Sequence, residues 1–256
     1  IFTTLANIKK ERIKENKPVF DLSVGTPDFL PEPHVVNALV EAAKIPENFK
    51  YAITDTDEML EAVQNWYKRR YDVELEKDEI MSLYGSQEGI SRVALTIANP
   101  GDTVLVPNPG YPVFELGPLL NDAHIEYYEL REENNYLIDF DSIPEEVAKK
   151  AKAIIVSYPA NPICRLAPVS FYKELIAWAN KYNVIVLHDN AYSELVYDGK
   201  RGISFLSVEG AKEIGIEFNS LSKTYNLTGA RISFAVGNKE IISQFKKLRS
   251  QIDYGI

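Results

Sequence analysis

Lys223 stands in a segment whose polar residues could bind a phosphate while an amine reaches an aldehyde. It follows Ser220 and Ser222 at the end of an apolar run, and Arg231 comes eight residues later. Arginine suits a phosphate because its planar guanidinium donates two parallel charge-assisted hydrogen bonds. A lone lysine in a loop is usually a solvated charge. The neighbouring hydroxyls and the arginine instead favour an anion site beside a nucleophilic amine.

A second candidate anion site is the cluster Gly85-Ser86-Gln87-Glu88-Gly89, which follows an apolar run and opens a helical pattern. Backbone N–H groups at a helix N-terminus attract anions, and glycines let the chain approach them closely. A glycine-rich turn alone is equally compatible with an ordinary turn. The candidate phosphate-binding residues here are Ser86 and Gln87.

Asp189 and Tyr192 end another apolar run, three residues apart. A buried carboxylate can keep a pyridine nitrogen protonated, and a phenol can bond an oxygen on the same ring. The alternative is that Asp189 caps a helix that begins after it. Asn161 in YPANP could donate to the ring oxygen, and Tyr111 in NPGYP offers a flat face on which a ring could stack.

The elements that must position these residues are short apolar runs, rich in β-branched residues, which alternate with amphipathic segments. Glu88–Ala98 and Val169–Tyr182 have the apolar spacing of helices with one buried stripe. This alternation predicts an α/β fold of three α/β/α layers with a mostly parallel seven-stranded sheet. The candidate strands are Ile80–Leu83, Thr103–Val106, Ile125–Leu130, Ala153–Val156, Val184–Leu187, Glu217–Leu221 and Arg231–Val236.

Polar clusters follow five of these strands: GSQEG, NPGYP, YPAN, HDNAY and SKTYN. The carboxyl ends of parallel strands meet at one edge of a sheet, where open α/β folds bind their ligands. We therefore expect the five clusters to converge on one crevice. The simpler alternative is that they are ordinary surface loops.

Composition narrows the class of protein. The 256 residues are 45% hydrophobic and 25% charged, as in a globular protein, and no apolar run approaches the ~18 residues of a membrane span. The net charge of −9 and the pI near 5.0 argue against a nucleic-acid partner.

The single cysteine, Cys164, is expected to be a small buried hydrophobe. Low cysteine usage and the lack of a secretory pattern in Ile1–Lys14 predict a cytoplasmic protein. No metal site is predicted.

Taken together, these motifs resemble those of the class I and II aminotransferases, which are fold-type I pyridoxal-phosphate enzymes. SLSKTYNLTGAR is similar to the family's cofactor-lysine signature with its phosphate-binding arginine, and HDNAY, YPANP, NPGYP and GSQEG each match a family segment. VGTPDF resembles the segment that closes over the substrate carboxylate. Tyr51 stands where the family has a tyrosine that reaches the neighbouring subunit's phosphate. The resemblance covers nearly the whole chain. Within the family, the chain is most similar in general appearance to the aspartate, aromatic and LL-diaminopimelate aminotransferases.

The resemblance implies pyridoxal 5′-phosphate as the cofactor, amino acids and 2-oxo acids as substrates, a ping-pong mechanism and a homodimer. Lys223 would carry the cofactor as an aldimine and shuttle the proton, for which its amine pKa must be lowered; burial and Arg231 both act in that direction. The implied catalytic residues are Lys223, Asp189 and Tyr192. The implied cofactor-binding residues are Ser86, Gln87, Tyr111, Asn161, Asp189, Tyr192, Ser220, Ser222, Lys223 and Arg231, with Tyr51 from the neighbouring subunit. Gly25 and Asn161 are expected to bind substrate.

The chain departs from the family pattern at Ile163 and Cys164, where the family usually has Thr-Gly, and at Ser233, where a glycine is frequent. The same cofactor groups also serve C–S β-lyases and decarboxylases, and aminotransferase-like modules occur as regulatory domains. Those reaction types therefore remain alternatives.

The domain organisation is predicted from the same resemblance. Residues 1–45 are expected to form part of a smaller α/β domain, and residues 46–256 the large cofactor-binding domain. The family continues for roughly another 100 residues. We therefore expect a C-terminally truncated chain that lacks the arginine that grips the substrate α-carboxylate.

Overall fold

The computed structural model describes residues 2–22 and 25–253, which form two compact units, Ile1–Leu30 and Pro31–Ile256. The N-terminal unit contains helix α1 (Phe2–Lys14), and the second unit contains the sheet. The boundary that the sequence analysis placed after residue 45, and its assignment of residues 1–45 to a smaller domain, stay predictions. No helix in the described part of the chain is long and apolar enough to cross a membrane.

The sheet of the second unit has the predicted seven strands. They are β1 (Ile80–Leu83), β2 (Thr103–Asn108), β3 (His124–Glu129), β4 (Ala151–Ser157), β5 (Ile185–Asp189), β6 (Gly215–Ser220) and β7 (Ser233–Gly237). Their order across the sheet is β1-β7-β6-β5-β4-β2-β3. Only β7 runs antiparallel to its neighbours, so the other six strands all point the same way. The prediction of a mostly parallel α/β sheet is confirmed.

Helices pack on both faces of the sheet. The helices of the second unit are α2 (Pro33–Ala43), α3 (Asp57–Tyr71), α4 (Ser86–Ile97), α5 (Val113–Leu120), α6 (Glu145–Lys150), α7 (Val169–Tyr182), α8 (Ala211–Ile214), α9 (Leu221–Thr224) and α10 (Lys239–Ser250). Helices α3 and α7 pack on one face of the sheet, and α4, α5 and α10 pack on the other. The layers arise because successive strand residues point to opposite faces: Val186 belongs to the first core and Leu187 to the second.

The carboxyl ends of β1, β2, β4, β5 and β6 lie at one edge of the sheet because these strands are parallel. Strand β7 starts at that same edge, since Ser233 is paired with Ser220, the last residue of β6. The connection from β6 to β7 therefore stays at the edge where the five polar clusters emerge.

Candidate active site

Lys223 and Arg231 lie in the short connection between β6 and β7. Ser220 ends β6, and its Oγ accepts a hydrogen bond from the Ser222 backbone N–H at 3.2 Å, which starts α9. Arg231 has a left-handed backbone (φ 58°), a conformation that cannot continue a strand. Two predicted strand ends were therefore wrong: Leu221 already belongs to α9, and β7 begins at Ser233, after Arg231.

The Lys223 amine is half-buried and lies 5.5 Å from the centre of the Tyr192 ring. Burial lowers the pKa of Lys223, and the positive charge of Arg231 lowers it further. Both effects act in the direction that the sequence analysis expected, because each disfavours the charged ammonium.

The Arg231 guanidinium lies beside Gly85, the residue that precedes α4, so two positive groups meet there: the guanidinium and the N-terminus of the helix. A Cβ on Gly85 would overlap the Arg231 guanidinium, and the backbone of Gly85 has a φ of 99° that L residues rarely adopt. The positive end of the α4 dipole therefore faces a guanidinium, an arrangement that an anion between them stabilises. Ser86 and Gln87 form the first turn of this helix.

Ser222 adds a hydroxyl to this site. Its Oγ is buried and has no hydrogen-bond partner among the described residues. Since buried polar groups are normally satisfied, this hydroxyl fits a ligand oxygen. Together with Arg231 and the N-terminus of α4, it fits the phosphate of a cofactor.

Asp189 ends β5 with its carboxylate buried at 5% exposure. Burial raises its pKa to about 6, against a hydrogen bond from the Ala191 N–H at 3.3 Å and the charge of His188, which both lower it. The charge of Glu217 acts with burial. No helix follows Asp189 in the structure, because residues 191–194 form turns. The alternative in which Asp189 caps a helix is therefore wrong.

Tyr111 and Tyr192 lie near Asp189. Burial raises the pKa of both phenols, and the negative charge of Asp189 raises both further. Tyr111 also donates a hydrogen bond to Oε1 of Gln87 at 3.3 Å, which links the NPGYP segment to the start of α4. The structure thus brings the clusters of β1, β2, β5 and β6 together.

Asn161 and Cys164 belong to the turn after β4. Asn161 is half-buried and lines a small cleft with Pro109, beside the Tyr111 segment. Cys164 is exposed, so its predicted burial was wrong. The reason is a tight turn in which Cys164 adopts a left-handed backbone (φ 59°), at the position where the aminotransferase pattern has glycine.

The structure does not test the roles of two predicted site residues, Gly25 and Tyr51. Gly25 belongs to the N-terminal unit, and its role as a substrate-binding residue stays a prediction. Tyr51 lies in the loop between a 3₁₀ helix (Pro46–Phe49) and α3, with 82% of its surface exposed. Its contact with a neighbouring subunit also stays a prediction. Among the described residues, no cluster of three or more metal-binding side chains is found.

The sequence analysis missed a buried polar network formed by side chains of β5 and β6. His188 and Glu217 are both fully buried, and their side chains are 2.8 Å apart. The signal that could have found it was a glutamate within the apolar run GIEFNS, because a charged residue inside a buried strand requires partners.

These features define an α/β protein that presents an amine, a guanidinium and a buried carboxylate at the carboxyl edge of its sheet. Solved structures share the fold. Apo-BacF from Bacillus subtilis superimposes with a TM-score of 0.94 at 36% identity, over 100% of this chain and 65% of that chain. A probable N-succinyldiaminopimelate aminotransferase from Thermus thermophilus does so with a TM-score of 0.93 at 33% identity, over 99% and 69%.

The model of the family "Aminotransferase class I and II" matches residues 17–253, and the chain belongs to this family. It is 46% identical to an LL-diaminopimelate aminotransferase of Aquifex aeolicus (strain VF5), over 100% of this chain and 66% of the relative. It is 41% identical to the enzyme of the same name from Dehalococcoides mccartyi (strain ATCC BAA-2266), over the same shares. The chain thus spans just under two thirds of the length of these relatives.

Proposed function

We propose that this chain is the cofactor-binding part of a pyridoxal-phosphate-dependent aminotransferase, which moves an amino group from an amino acid to a 2-oxo acid. The observation that carries the proposal is the group formed by Lys223, Arg231 and the start of α4 beside the buried Asp189. An amine of lowered pKa next to an anion site suits a phosphorylated aldehyde.

The residues present fit each part of this cofactor. Arg231, the Ser222 hydroxyl and the N–H groups of the first turn of α4 would hold the phosphate. Tyr111 would stack on the ring, and Asp189 would face the ring nitrogen. Tyr192 and Asn161 would donate to the ring oxygen.

When bound, pyridoxal phosphate supplies a ring that accepts electrons from the carbon whose proton is removed. Asp189 serves that ring only as a carboxylate, because a negative charge keeps the ring nitrogen protonated. Its pKa of about 6 leaves it ionised at neutral pH. The Lys223 amine can take a proton only in its neutral form, which its lowered pKa favours.

The experiment that tests the cofactor is reduction with borohydride after addition of pyridoxal phosphate. The protein should turn yellow when pyridoxal phosphate is added and lose this colour on reduction. Peptide mapping should then find the reduced adduct on Lys223. Lys223→Ala should abolish the adduct, whereas Lys200→Ala, which changes an exposed lysine, should leave it intact. An adduct on another lysine would contradict the assignment.

LL-diaminopimelate is the first amino donor to test, because it appears in the names of the relatives. The assay follows the appearance of glutamate from 2-oxoglutarate in the full-length protein. Aspartate and aromatic amino acids serve as the comparison donors. Release of pyruvate and ammonia instead of glutamate would indicate a C–S β-lyase.

A further inference from the structure

His188 and Glu217 are neighbours on adjacent strands, directly behind the candidate site. They are register partners of β5 and β6, as are Asp189 and Phe218 one residue further on. Because strand side chains alternate between faces, His188 and Glu217 lie on the face of α3 and α7, and Asp189 lies on the opposite face. Both side chains are 0% exposed, and Nδ1 of His188 lies 2.8 Å from Oε2 of Glu217.

The Glu217 carboxylate is surrounded by donors. Its Oε1 accepts from the Tyr67 hydroxyl at 2.7 Å and from Ser204 Oγ at 2.9 Å, and its Oε2 accepts from the Phe205 N–H at 2.8 Å besides His188. Burial raises the pKa of Glu217, but its hydrogen bonds and the charge of His188 outweigh burial and lower it overall. These donors, together with the Asn190 side chain, which also lowers the pKa of Glu217, are the surroundings of an ionised carboxylate.

The other ring nitrogen of His188 also has a partner that can accept a proton. The Tyr172 hydroxyl lies 3.2 Å from Nε2 and 3.5 Å from the Tyr158 carbonyl oxygen, to which it can donate. With that carbonyl as acceptor, the hydroxyl oxygen is left to accept from Nε2–H. Both nitrogens of His188 can then donate at once, as only an imidazolium does.

The remaining titratable groups around the pair are tyrosines. Burial and the charge of Glu217 raise the pKa values of Tyr67, Tyr71 and Tyr172, which keeps all three hydroxyls neutral. Among the described residues that donate to Glu217, His188 alone has a side chain that can carry a positive charge. A buried carboxylate needs such a partner, because an unpaired charge in the core is strongly destabilising.

We propose that His188 and Glu217 form a buried ion pair that acts as a positioning element for Asp189, with the imidazolium supporting the negative charge of Asp189 through the sheet. The inference rests on the proposed function, in which Asp189 works as a carboxylate. The role of Glu217 is to hold the proton on His188. From the site side, Asp189 faces the neutral phenols of Tyr111 and Tyr192, and the cations of that edge are Lys223 and Arg231.

The balance of charges around Asp189 agrees with this arrangement. Burial opposes ionisation of Asp189, the charge of His188 favours it, and the smaller contribution of Glu217 disfavours it. Removing the imidazolium should therefore raise the pKa of Asp189. Removing the Glu217 charge should release the proton of His188, so that both charges vanish and the pKa rises less.

The experiment is an infrared pH titration of the Asp189 carboxyl in protein prepared without pyridoxal phosphate. The band is assigned by its loss in Asp189→Asn. His188→Gln should raise the titration midpoint by roughly one pH unit, and Glu217→Gln should raise it by less. Tyr67→Phe removes one donor to Glu217 and changes no charge, so its midpoint should equal that of the wild type. A midpoint in His188→Gln equal to the wild-type value would overturn the proposal.

A second measurement needs no change in the network. The chain has three histidines, so the ring ¹⁵N signals of His188 can be assigned by elimination with His34→Gln and His124→Gln. The proposal requires both ring nitrogens of His188 to be protonated at pH 7, and a neutral ring would overturn it. Neither measurement uses the cofactor, so failure of the borohydride labelling of Lys223 is a separate result that concerns only the proposed function.

Discussion

Gly85 is the residue at which backbone conformation and ligand binding meet. Its positive φ turns the chain into α4, and its missing side chain leaves room for the Arg231 guanidinium. Arg231 itself has a left-handed backbone, which directs the chain into β7. The candidate phosphate site therefore depends on two residues with uncommon backbone conformations at the ends of two elements.

Gly85→Ala should weaken binding of pyridoxal phosphate by roughly tenfold to a hundredfold, because the new methyl group displaces the Arg231 guanidinium. The measurement is a titration of the cofactor, followed by tryptophan fluorescence. Gly101→Ala is the matched control, since Gly101 also has a positive φ (83°) but no atom within 4 Å of the added Cβ. Equal affinity losses in the two variants would show that backbone strain, and not Arg231, is responsible.

Asp189→Asn should stabilise the cofactor-free protein increasingly as the pH rises. Folding raises the pKa of Asp189 from 3.8 to about 6. Ionisation therefore opposes folding: the penalty is absent below the unfolded pKa of 3.8, grows as the pH rises and is fully present above the folded pKa of about 6. At about 1.4 kcal/mol per pH unit, the penalty reaches about 3 kcal/mol at neutral pH.

Urea unfolding of both proteins measures this effect. Between pH 5 and pH 7.5 the advantage of the asparagine variant should grow by about 1 to 1.5 kcal/mol. An advantage that stays constant over this range would show that Asp189 does not titrate there.

Helix α4 is the element that connects the candidate site to the core. Gly89 lies on its buried side, where an added Cβ would be 2.5 Å from Cδ1 of Leu83 and 3.0 Å from Cε1 of Phe218. Both of these residues are fully buried. The two glycines of GSQEG therefore differ in role, since Gly85 makes room for Arg231 and Gly89 lets the helix approach β1 and β6.

Gly89→Ala should destabilise the protein by about 1 to 3 kcal/mol, because the core residues under α4 have no room to move apart. Chemical denaturation measures the loss. Gly229→Ala, at which an added Cβ meets no atom within 4 Å, should stay within about 0.5 kcal/mol of the wild type. A loss of the same size in both variants would argue against tight packing of α4.

The strands and the helix Val169–Tyr182 could be predicted because apolar periodicity is a local property of the sequence. The end of β6 and the start of β7 could not be predicted in this way, because Leu221 and Arg231 are residue types that also occur in strands. They are excluded by the turn between β6 and β7, which is a tertiary feature. The exposure of Cys164 depends on the turn that holds it. The partners of Glu217 come from α3, β5 and the segment before α8, so their convergence is a tertiary property.

At the scale of the whole molecule, the homodimer is a proposal that depends on Tyr51. The side chain of Tyr51 is mostly exposed in this chain. If it reaches the phosphate of a neighbouring subunit, the two-fold contact gives each subunit the tyrosine of the other. Each active site then consists of residues from two chains.

Mixing full-length Tyr51→Phe with full-length Lys223→Ala tests this arrangement. The heterodimer has one site with both residues intact and one site that lacks both, so each heterodimer should regain up to about half of the wild-type activity. Mass spectrometry checks independently that subunits exchange. Exchange without any gain in activity would mean that Tyr51 acts within its own subunit or has no role in the site.

The antiparallel strand β7 has a consequence for the order in which the protein folds during synthesis. In the described part of the chain, β1 is joined to the sheet through β7, with Ile80 opposite Val236. A nascent chain that ends before β7 therefore leaves β1 without its partner strand, and contacts between such distant residues form slowly. Arg231 stands two residues before the start of β7, and Gly85 stands two residues after the end of β1. Pairing of β1 with β7 and completion of the candidate phosphate site therefore require the same stretch of chain to have been synthesised.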